Sequence, residues 1–182
     1  MRLVAATINR HDFNTGTGKL SIDRDNYQNA ANIIIAQQAC ANVAAAASID
    51  TATRQLTLKV KVYYTGNGTG TSNKLNVALI QDGILGTQTG ASNNPSQVVG
   101  NQYIHNELFH HFITGQWGED ISPVTQGTLI EKEYSYRIPA LFFDRTNNNN
   151  VRLVLRDLRL IVFVAEGQTE VINVCEAPIS YK

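Results

Sequence analysis

The side chains best suited to chemistry gather in one short stretch, where His105, His110 and His111 lie near Glu107. Imidazole is the commonest metal-binding side chain. On an extended strand, however, His105 and His111 point to one side and His110 to the other, so three ligands converge only across a bulge. Their spacing matches no established ligand pattern. We therefore read the three as structural or solvated residues, with His105 the one expected to be buried and hydrogen-bonded, and keep a metal site as the alternative.

The other reactive side chains are dispersed. No Ser or Cys stands in a Gly-x-Ser-x-Gly or comparable frame, so nucleophilic catalysis would need a triad drawn from distant segments. Glu119-Asp120, and Glu131 with Glu133, form carboxylate pairs of the kind used on glycosidic bonds. Glu131 and Glu133 fall on the solvent side of a strand, where charge is expected anyway. Gly66-Asn-Gly-Thr-Gly70 lacks the following helix that a phosphate loop needs and reads as a hairpin loop. Cys40 and Cys175 form no Cys-x-x-Cys pair and no zinc spacing; they read as two single buried thiols, with a disulfide as the alternative. Trp117, the sole tryptophan, and Tyr63 are the aromatics able to stack on a ligand, although a lone Trp beside Gly118 is more often a core anchor. No catalytic or cofactor-binding residue is assigned, and no cofactor is expected.

Composition narrows the partners. The 182 residues carry 15 basic and 15 acidic side chains, so there is no positive field to gather nucleic acid or anionic lipid. Charged residues make up 16% of the chain, against about a quarter in typical soluble domains. Asn, Gln, Thr, Ser and Gly take their place, a surface common on exported β proteins. The apolar run at Leu158 to Ala165 is interrupted by Arg159 and is far shorter than a membrane helix. The apolar run Leu3 to Ala6 is too short for the core of a signal peptide.

The elements that must position these residues are mostly extended. Val4 to Ile8 reads as a short strand, and Lys19 to Ile22 as another beyond a Gly/Thr turn. Asp23 then caps a helix with Tyr27, Ala30, Ala31, Ile34 and Ile35 on one face, expected to end near Cys40. Asn42 to Ser48 is taken as a strand despite its alanines. After the turn Ile49 to Arg54, the residues Leu56, Leu58, Val60, Val62 and Tyr64 alternate strictly with polar positions. Leu75, Val77 and Leu79 alternate again before an Asp82-Gly83 turn. Thr87 to Asn101 reads as a long polar surface loop, the kind of segment that carries contacts; Asn93 and Asn94 are its candidate ligand-contact residues.

Tyr103 to Ile113 and Gly127 to Ile138 are further strands, the second with Ile130, Tyr134, Tyr136 and Ile138 inward and Lys132 breaking that pattern. Asn147 to Asn150 is a turn. Val151, Leu153 and Leu155 have odd parity whereas Leu158, Leu160, Val162 and Val164 have even parity, which requires a bulge or break at Arg156-Asp157. Glu166-Gly167 is a hairpin turn, and Val171 to Cys175 closes the chain as a last strand. About seven strands behind one helix make this a mainly β protein, an antiparallel two-sheet sandwich, Ig-like or jelly-roll-like, over 42–182.

Three segments carry a family resemblance: Asn76-Val-Ala-Leu-Ile-Gln-Asp-Gly83; Tyr103-Ile-His-Asn-Glu-Leu-Phe-His110 leading into Thr114-Gly-Gln-Trp-Gly-Glu119; and Leu160-Ile-Val-Phe-Val164 with Glu170-Val-Ile-Asn173. Together they resemble the twenty-eight-kilodalton outer-membrane lipoprotein family of Bacteroidetes. The resemblance covers most of the chain. It implies that residues 1–41 are the tail of a thioredoxin-like half, a strand plus the helix after Asp23. It also implies that the redox-active cysteines and the lipid-carrying amino-terminal Cys lie upstream, so the membrane is reached only through an anchor of the parent protein. The expected location is the outer membrane and cell surface, and the expected role a non-enzymatic binding or adhesion module for a protein or glycan. A structural or assembly platform and a metal-dependent or other hydrolase are the alternatives.

Overall fold

The computed structural model describes residues 5–14, 20–144 and 149–182. β1 (Ala5–Ala6) pairs with β2 (Ile22–Asp23), and one 3-10 turn leads into α1 (Tyr27–Ile35). The remainder is extended: β3 (Ala41–Asp50), β4 (Gln55–Tyr64), β5 (Asn73–Gln81), β6 (Ile84–Gly86), β7 (Val98–Val99), β8 (Gln102–His105), β9 (Leu108–Phe112), β10 (Glu119–Ile121), β11 (Leu129–Arg137), β12 (Leu141–Asp144), β13 (Asn149–Arg152), β14 (Leu158–Glu166), β15 (Thr169–Ala177) and β16 (Ile179–Tyr181). The first sheet has the order β11-β4-β3-β16; the second runs β15-β14-β5, with β9 and β10 sharing the far edge of β5.

Alternation puts the core between these sheets. Leu56, Leu58, Val60, Val62 and Tyr64 of β4 face Leu75, Val77 and Leu79 of β5 and Leu158, Leu160, Val162 and Val164 of β14, all buried. Each fully buried aliphatic side chain contributes about 1.5–3 kcal/mol relative to exposure, so this one cluster dominates the fold's stability. The parity change is resolved where expected, by a 3-10 turn at Leu155–Asp157 that resets the strand before Leu158.

Several expectations are corrected. The first strand is confined to Ala5–Ala6 among the described residues, because Asn9 and Arg10 both take left-handed conformations, φ 56° and 52°. The α-helix stops at Ile35, and Asp23 precedes a 3-10 turn rather than the α-helix itself. The chain has to straighten by Cys40, whose carbonyl accepts from the amides of Thr65 and Gly66 at 2.8 and 3.1 Å. Ala30 is the buried residue of the helix, and Ile35, expected on the same face, is exposed.

Tyr103 to Ile113 is two strands: Glu107 sits at φ 57° and its amide donates to Asp82 Oδ1 at 2.7 Å, which turns the chain between β8 and β9. The long loop carries two 3-10 turns and β7, which joins β6 and β8 in a small three-stranded sheet. β15 runs through Ala177 and is followed by β16, which crosses to the first sheet and pairs parallel with β3; the last strand is therefore not Val171 to Cys175. Asn147 and Asn148 lie outside the described residues, and Asn149 and Asn150 belong to β13.

Candidate functional site

The three histidines do not converge. His105 ends β8 in the small sheet and is half-buried, with its ring 5.2 Å from that of Tyr103. His110 and His111 stand in β9, where the register against β5 jumps from Leu79↔His111 to Ile80↔Phe109 and leaves His110 as the extra residue of a bulge. His110, not His105, is the buried one: its Nε2 lies 3.2 Å from Gln81 Oε1, its ring meets Phe142 edge-on at 5.2 Å, and its Nδ1 has no hydrogen-bond partner among the described residues. Burial pushes its pKa below the ordinary histidine value, so the ring is neutral at neutral pH. His111 is exposed and stacks on Tyr136 of the first sheet at 5.4 Å. Among the described residues no group of three His, Cys, Asp or Glu side chains is placed to hold a metal.

The bulge has a second effect. Phe109 and Phe112 differ by three positions and would fall on opposite faces of a regular strand; the extra residue brings both to the outward face of the second sheet, opposite Ile80 and Ala78. Their rings lie 4.6 Å apart, and Phe112 meets Phe163 of β14 at 6.5 Å. Val174 is paired with Phe163 in register and extends the strip. Arg10 caps the Phe163 ring at 5.1 Å. Phe109 is 48% exposed and Val174 54%. Sequence reasoning missed this strip, because its signal is an alternation that fails at His110.

After β9 the chain makes a tight turn, Thr114–Gly118. Thr114 Oγ1 accepts from the Val77 amide at 3.0 Å, and the Gly118 amide donates to the Gly115 carbonyl at 3.1 Å. Gly115 and Gly118 both have positive φ, and a Cβ on Gly118 would stand 2.8 Å from the Asn76 amide and from the Leu75 carbonyl. Between this turn and β9 lies a cleft of about 450 Å³ lined by Phe109, His110, His111, Phe112, Gly115 and Gln116. Trp117 is 51% exposed, so it is not the core anchor that its isolation suggested.

The remaining candidates are scattered. Tyr63 is exposed on the outer face of the first sheet, opposite Leu129, far along the sequence from Asn93 and Asn94, which are exposed in and beside a 3-10 turn. Glu131 and Glu133 pair with Lys61 and Lys59 on that outer face, at 2.5 and 3.8 Å. Lys132 does point inward, where its ammonium pairs with Glu119; the Tyr134 hydroxyl also donates to Glu119, at 2.9 Å. The Lys132 bond holds the Glu119 carboxyl below the usual carboxylate range, while burial and the Glu119 bond raise Tyr134. An inward charge on the edge strand β11 is a feature that discourages edge-to-edge pairing with other chains. Cys40 and Cys175 are free, half-buried thiols, each raised in pKa by burial. Cys40 borders a second, smaller cleft of about 300 Å³ between the end of α1 and the β14–β15 hairpin.

The family model for the outer membrane protein Omp28 matches residues 5–182. The chain belongs to the Omp28 family. Membership places it with the outer membrane, although no helix among the described residues is long and apolar enough to cross one. Its fold is similar to that of HBP35 of Porphyromonas gingivalis, at a TM-score of 0.59 and 12% identity over 88% of this chain; it spans 48% of that chain. A domain of the outer membrane lipoprotein Omp28 from Porphyromonas gingivalis also matches, with 19% identity, a TM-score of 0.47, and 79% of this chain and 91% of that one covered. No curated protein matches the sequence.

In this Omp28 domain most residues of the recognisable segments serve the fold. Asn106 Oδ1 accepts from the Gly83 amide, the Tyr103 hydroxyl donates to Gln97, Thr114 and the two glycines shape the turn, and Glu119 closes the sandwich edge with Lys132. Trp117 makes no hydrogen bond or ring contact among the described residues.

Proposed function

We propose that this Omp28 domain is a non-catalytic binding module displayed at the cell surface. The observation that supports this reading is the outward face of the second sheet, where Phe109, Phe112, Phe163 and Val174 form a continuous apolar strip with its two ends in solvent. Soluble surfaces seldom keep contiguous aromatic patches without a contact to make. This reading sets the contact surface on β9 and the turn after it, with the long loop containing Asn93 and Asn94 as the competing surface.

Surface presentation of the purified domain to glycan and extracellular-matrix protein arrays tests this. Binding that disappears in Phe109→Ser, and survives deletion of 90–96, is the expected result; no binding by the intact, folded domain overturns it.

A second reading, an assembly platform within a larger outer-membrane protein, is favoured by the opposite end of the strip. There Arg10 of the leading segment already lies over Phe163, next to exposed Val174. Val174→Lys would then disturb packing in the parent protein, read as increased protease cleavage, while leaving array binding unchanged.

A further inference from the structure

We infer that the β12–β13 hairpin and the arginines at its base form a contact surface for an anionic lipid membrane. The inference goes beyond the binding reading above and makes no use of the Phe109 strip. β12 and β13 pair with each other and with no other described strand. Successive side chains of a strand point to opposite faces, so a strand packed on one side hides every second residue. Here Leu141, Phe142 and Phe143 are 53%, 37% and 51% exposed, although the His110 ring lies against Phe142. Val154, just beyond β13, is exposed as well.

A lone hairpin is only marginally stable in water, and this one is anchored at its base. The Arg54 guanidinium donates to the carbonyls of Ile138, Pro139 and Leu153 at 3.1, 2.9 and 2.9 Å. The Leu153 amide donates to the Ala140 carbonyl at 3.0 Å, and the Gln81 amide to the Arg152 carbonyl at 3.3 Å. The fold therefore holds these apolar side chains out in water on a fixed support.

Charge identifies what covers them. Arg152 stands opposite Leu141 in register, on the same hairpin face as Leu141 and Phe143. Arg137 ends β11 just before Ile138, and Arg156 lies in the 3-10 turn that follows Val154; all three arginines are exposed. Lys59, Lys61, Lys74, Lys132 and Arg159 each have a carboxylate partner, whereas Arg137, Arg152 and Arg156 form no ion pair among the described residues. The nearby carboxylates are Asp50, which accepts from the Ala52 and Thr53 amides, Asp157 beside Arg156, and Asp82 and Glu107, which Arg159 holds. Asp144 and Arg145, between the paired arms, add one charge of each sign. The chain is neutral as a whole, so its attraction for anions is local to this end.

Exposed apolar side chains beside unpaired arginines match a bilayer surface. The leucine and phenylalanine enter the boundary between headgroups and acyl chains, while the guanidinium groups, on long stems, stay with the lipid phosphates. The planar fork of arginine meets a phosphate with two parallel bonds. Asp144 to Asn149 are polar in sequence, so the hairpin meets the surface with its Leu141, Phe143 and Arg152 face and not with its tip.

The test mixes the purified protein with vesicles of phosphatidylcholine, alone or with phosphatidylglycerol, and separates bound protein by flotation. Association with the anionic vesicles is expected, and it should weaken as salt is raised. Phe143→Ser and Arg152→Gln should each reduce it by about fivefold or more, and Phe109→Ser and Lys61→Ala should leave it unchanged. All four side chains are exposed, so each variant should melt as cooperatively as the parent. Phe143→Trp in a Trp117→Phe background puts the sole fluorophore on the hairpin, where brominated acyl chains should quench it. Absence of association with anionic vesicles, or equal association with pure phosphatidylcholine, overturns the inference. So does binding undiminished in both Phe143→Ser and Arg152→Gln, or binding lost in Phe109→Ser, which would move the lipid contact to the second sheet. A dimer in sedimentation that Phe143→Ser dissociates, without vesicle association, also overturns it and gives the hairpin to a second copy of the chain.

Discussion

On the outward face of the first sheet, β4 and β11 set Lys59 opposite Glu133 and Lys61 opposite Glu131, with Tyr63 and Leu129 paired at one end. On the outward face of the second, Phe109, Phe112, Phe163 and Val174 occupy comparable positions across β9, β14 and β15. Both sheets back onto the same core, so the difference does not come from how the sandwich is held together. Exposed cross-strand ion pairs add little stability and are screened by salt, but they keep a face wet and unadhesive. Half-exposed rings instead leave apolar area in water at roughly 25 cal/mol per Å². One face covers itself with its own charge pairs, and the other leaves aromatic area in water, the feature on which the binding proposal rests.

The sharpest way to break this comparison is to remove what the faces share. Leu160→Ala, at a fully buried site, should lower stability by about 2–5 kcal/mol in equilibrium denaturation, and both faces should be lost in the same transition. Next in size is Gly118→Val, which places a branched side chain at φ 76° and 2.8 Å from Asn76 and the Leu75 carbonyl. It should lose about 2 kcal/mol and shift NMR signals around Trp117 while leaving those of β3 and β4 in place.

A smaller effect comes from pH. His110 has a folded pKa below its ordinary value, so the unfolded chain binds more protons between the two. The stability it contributes is complete above the ordinary histidine value and is lost as pH falls through the lowered one. Denaturation midpoints should therefore drop on acidification from about pH 8 to about pH 5, and His110→Phe should flatten that slope. Last, Lys61→Ala and Glu131→Ala should leave the thermal midpoint nearly unchanged, singly or together. Phe109→Ser should likewise leave stability within about 1 kcal/mol while reducing binding of a hydrophobic dye. A large stability loss from the charge pair, or unchanged dye binding in the Phe109 variant, would erase the contrast between the faces.

Where alternation was unbroken, the sequence was a sufficient guide. Leu56 to Tyr64 and Leu158 to Val164 are buried residue for residue as their period of two requires, and the parity change before Leu158 exposed the break at Arg156-Asp157 from the letters alone. The same parity test applied to Phe109 and Phe112 reveals the β9 bulge; the histidines alone name a bulge only as the condition for their convergence, and nothing in their own spacing requires one. Lys132 breaks the inward pattern in the sequence itself, yet its partner Glu119 lies across the sandwich edge, a pairing that no local pattern encodes. β16 was missed because Ile179-Ser-Tyr181 is too short to show a period, and its parallel partner β3 lies at the other end of the sandwich domain. For Trp117, rarity and a flanking glycine describe its neighbours in sequence, not the turn that lifts it into solvent.

The crossing of the chain from β15 to β16 bears on how the domain responds to mechanical load. β16 lies parallel to β3, and Lys182 exchanges backbone hydrogen bonds with Ile49 and Thr51 at 2.9 and 3.0 Å. Tension applied between residues before β3 and the end of β16 therefore drags the two strands lengthwise past each other, loading their bonds together instead of peeling them one at a time. A surface protein exposed to flow would resist extraction along that axis far better than along a hairpin axis, and single-molecule pulling from these two points should register the difference as a higher rupture force.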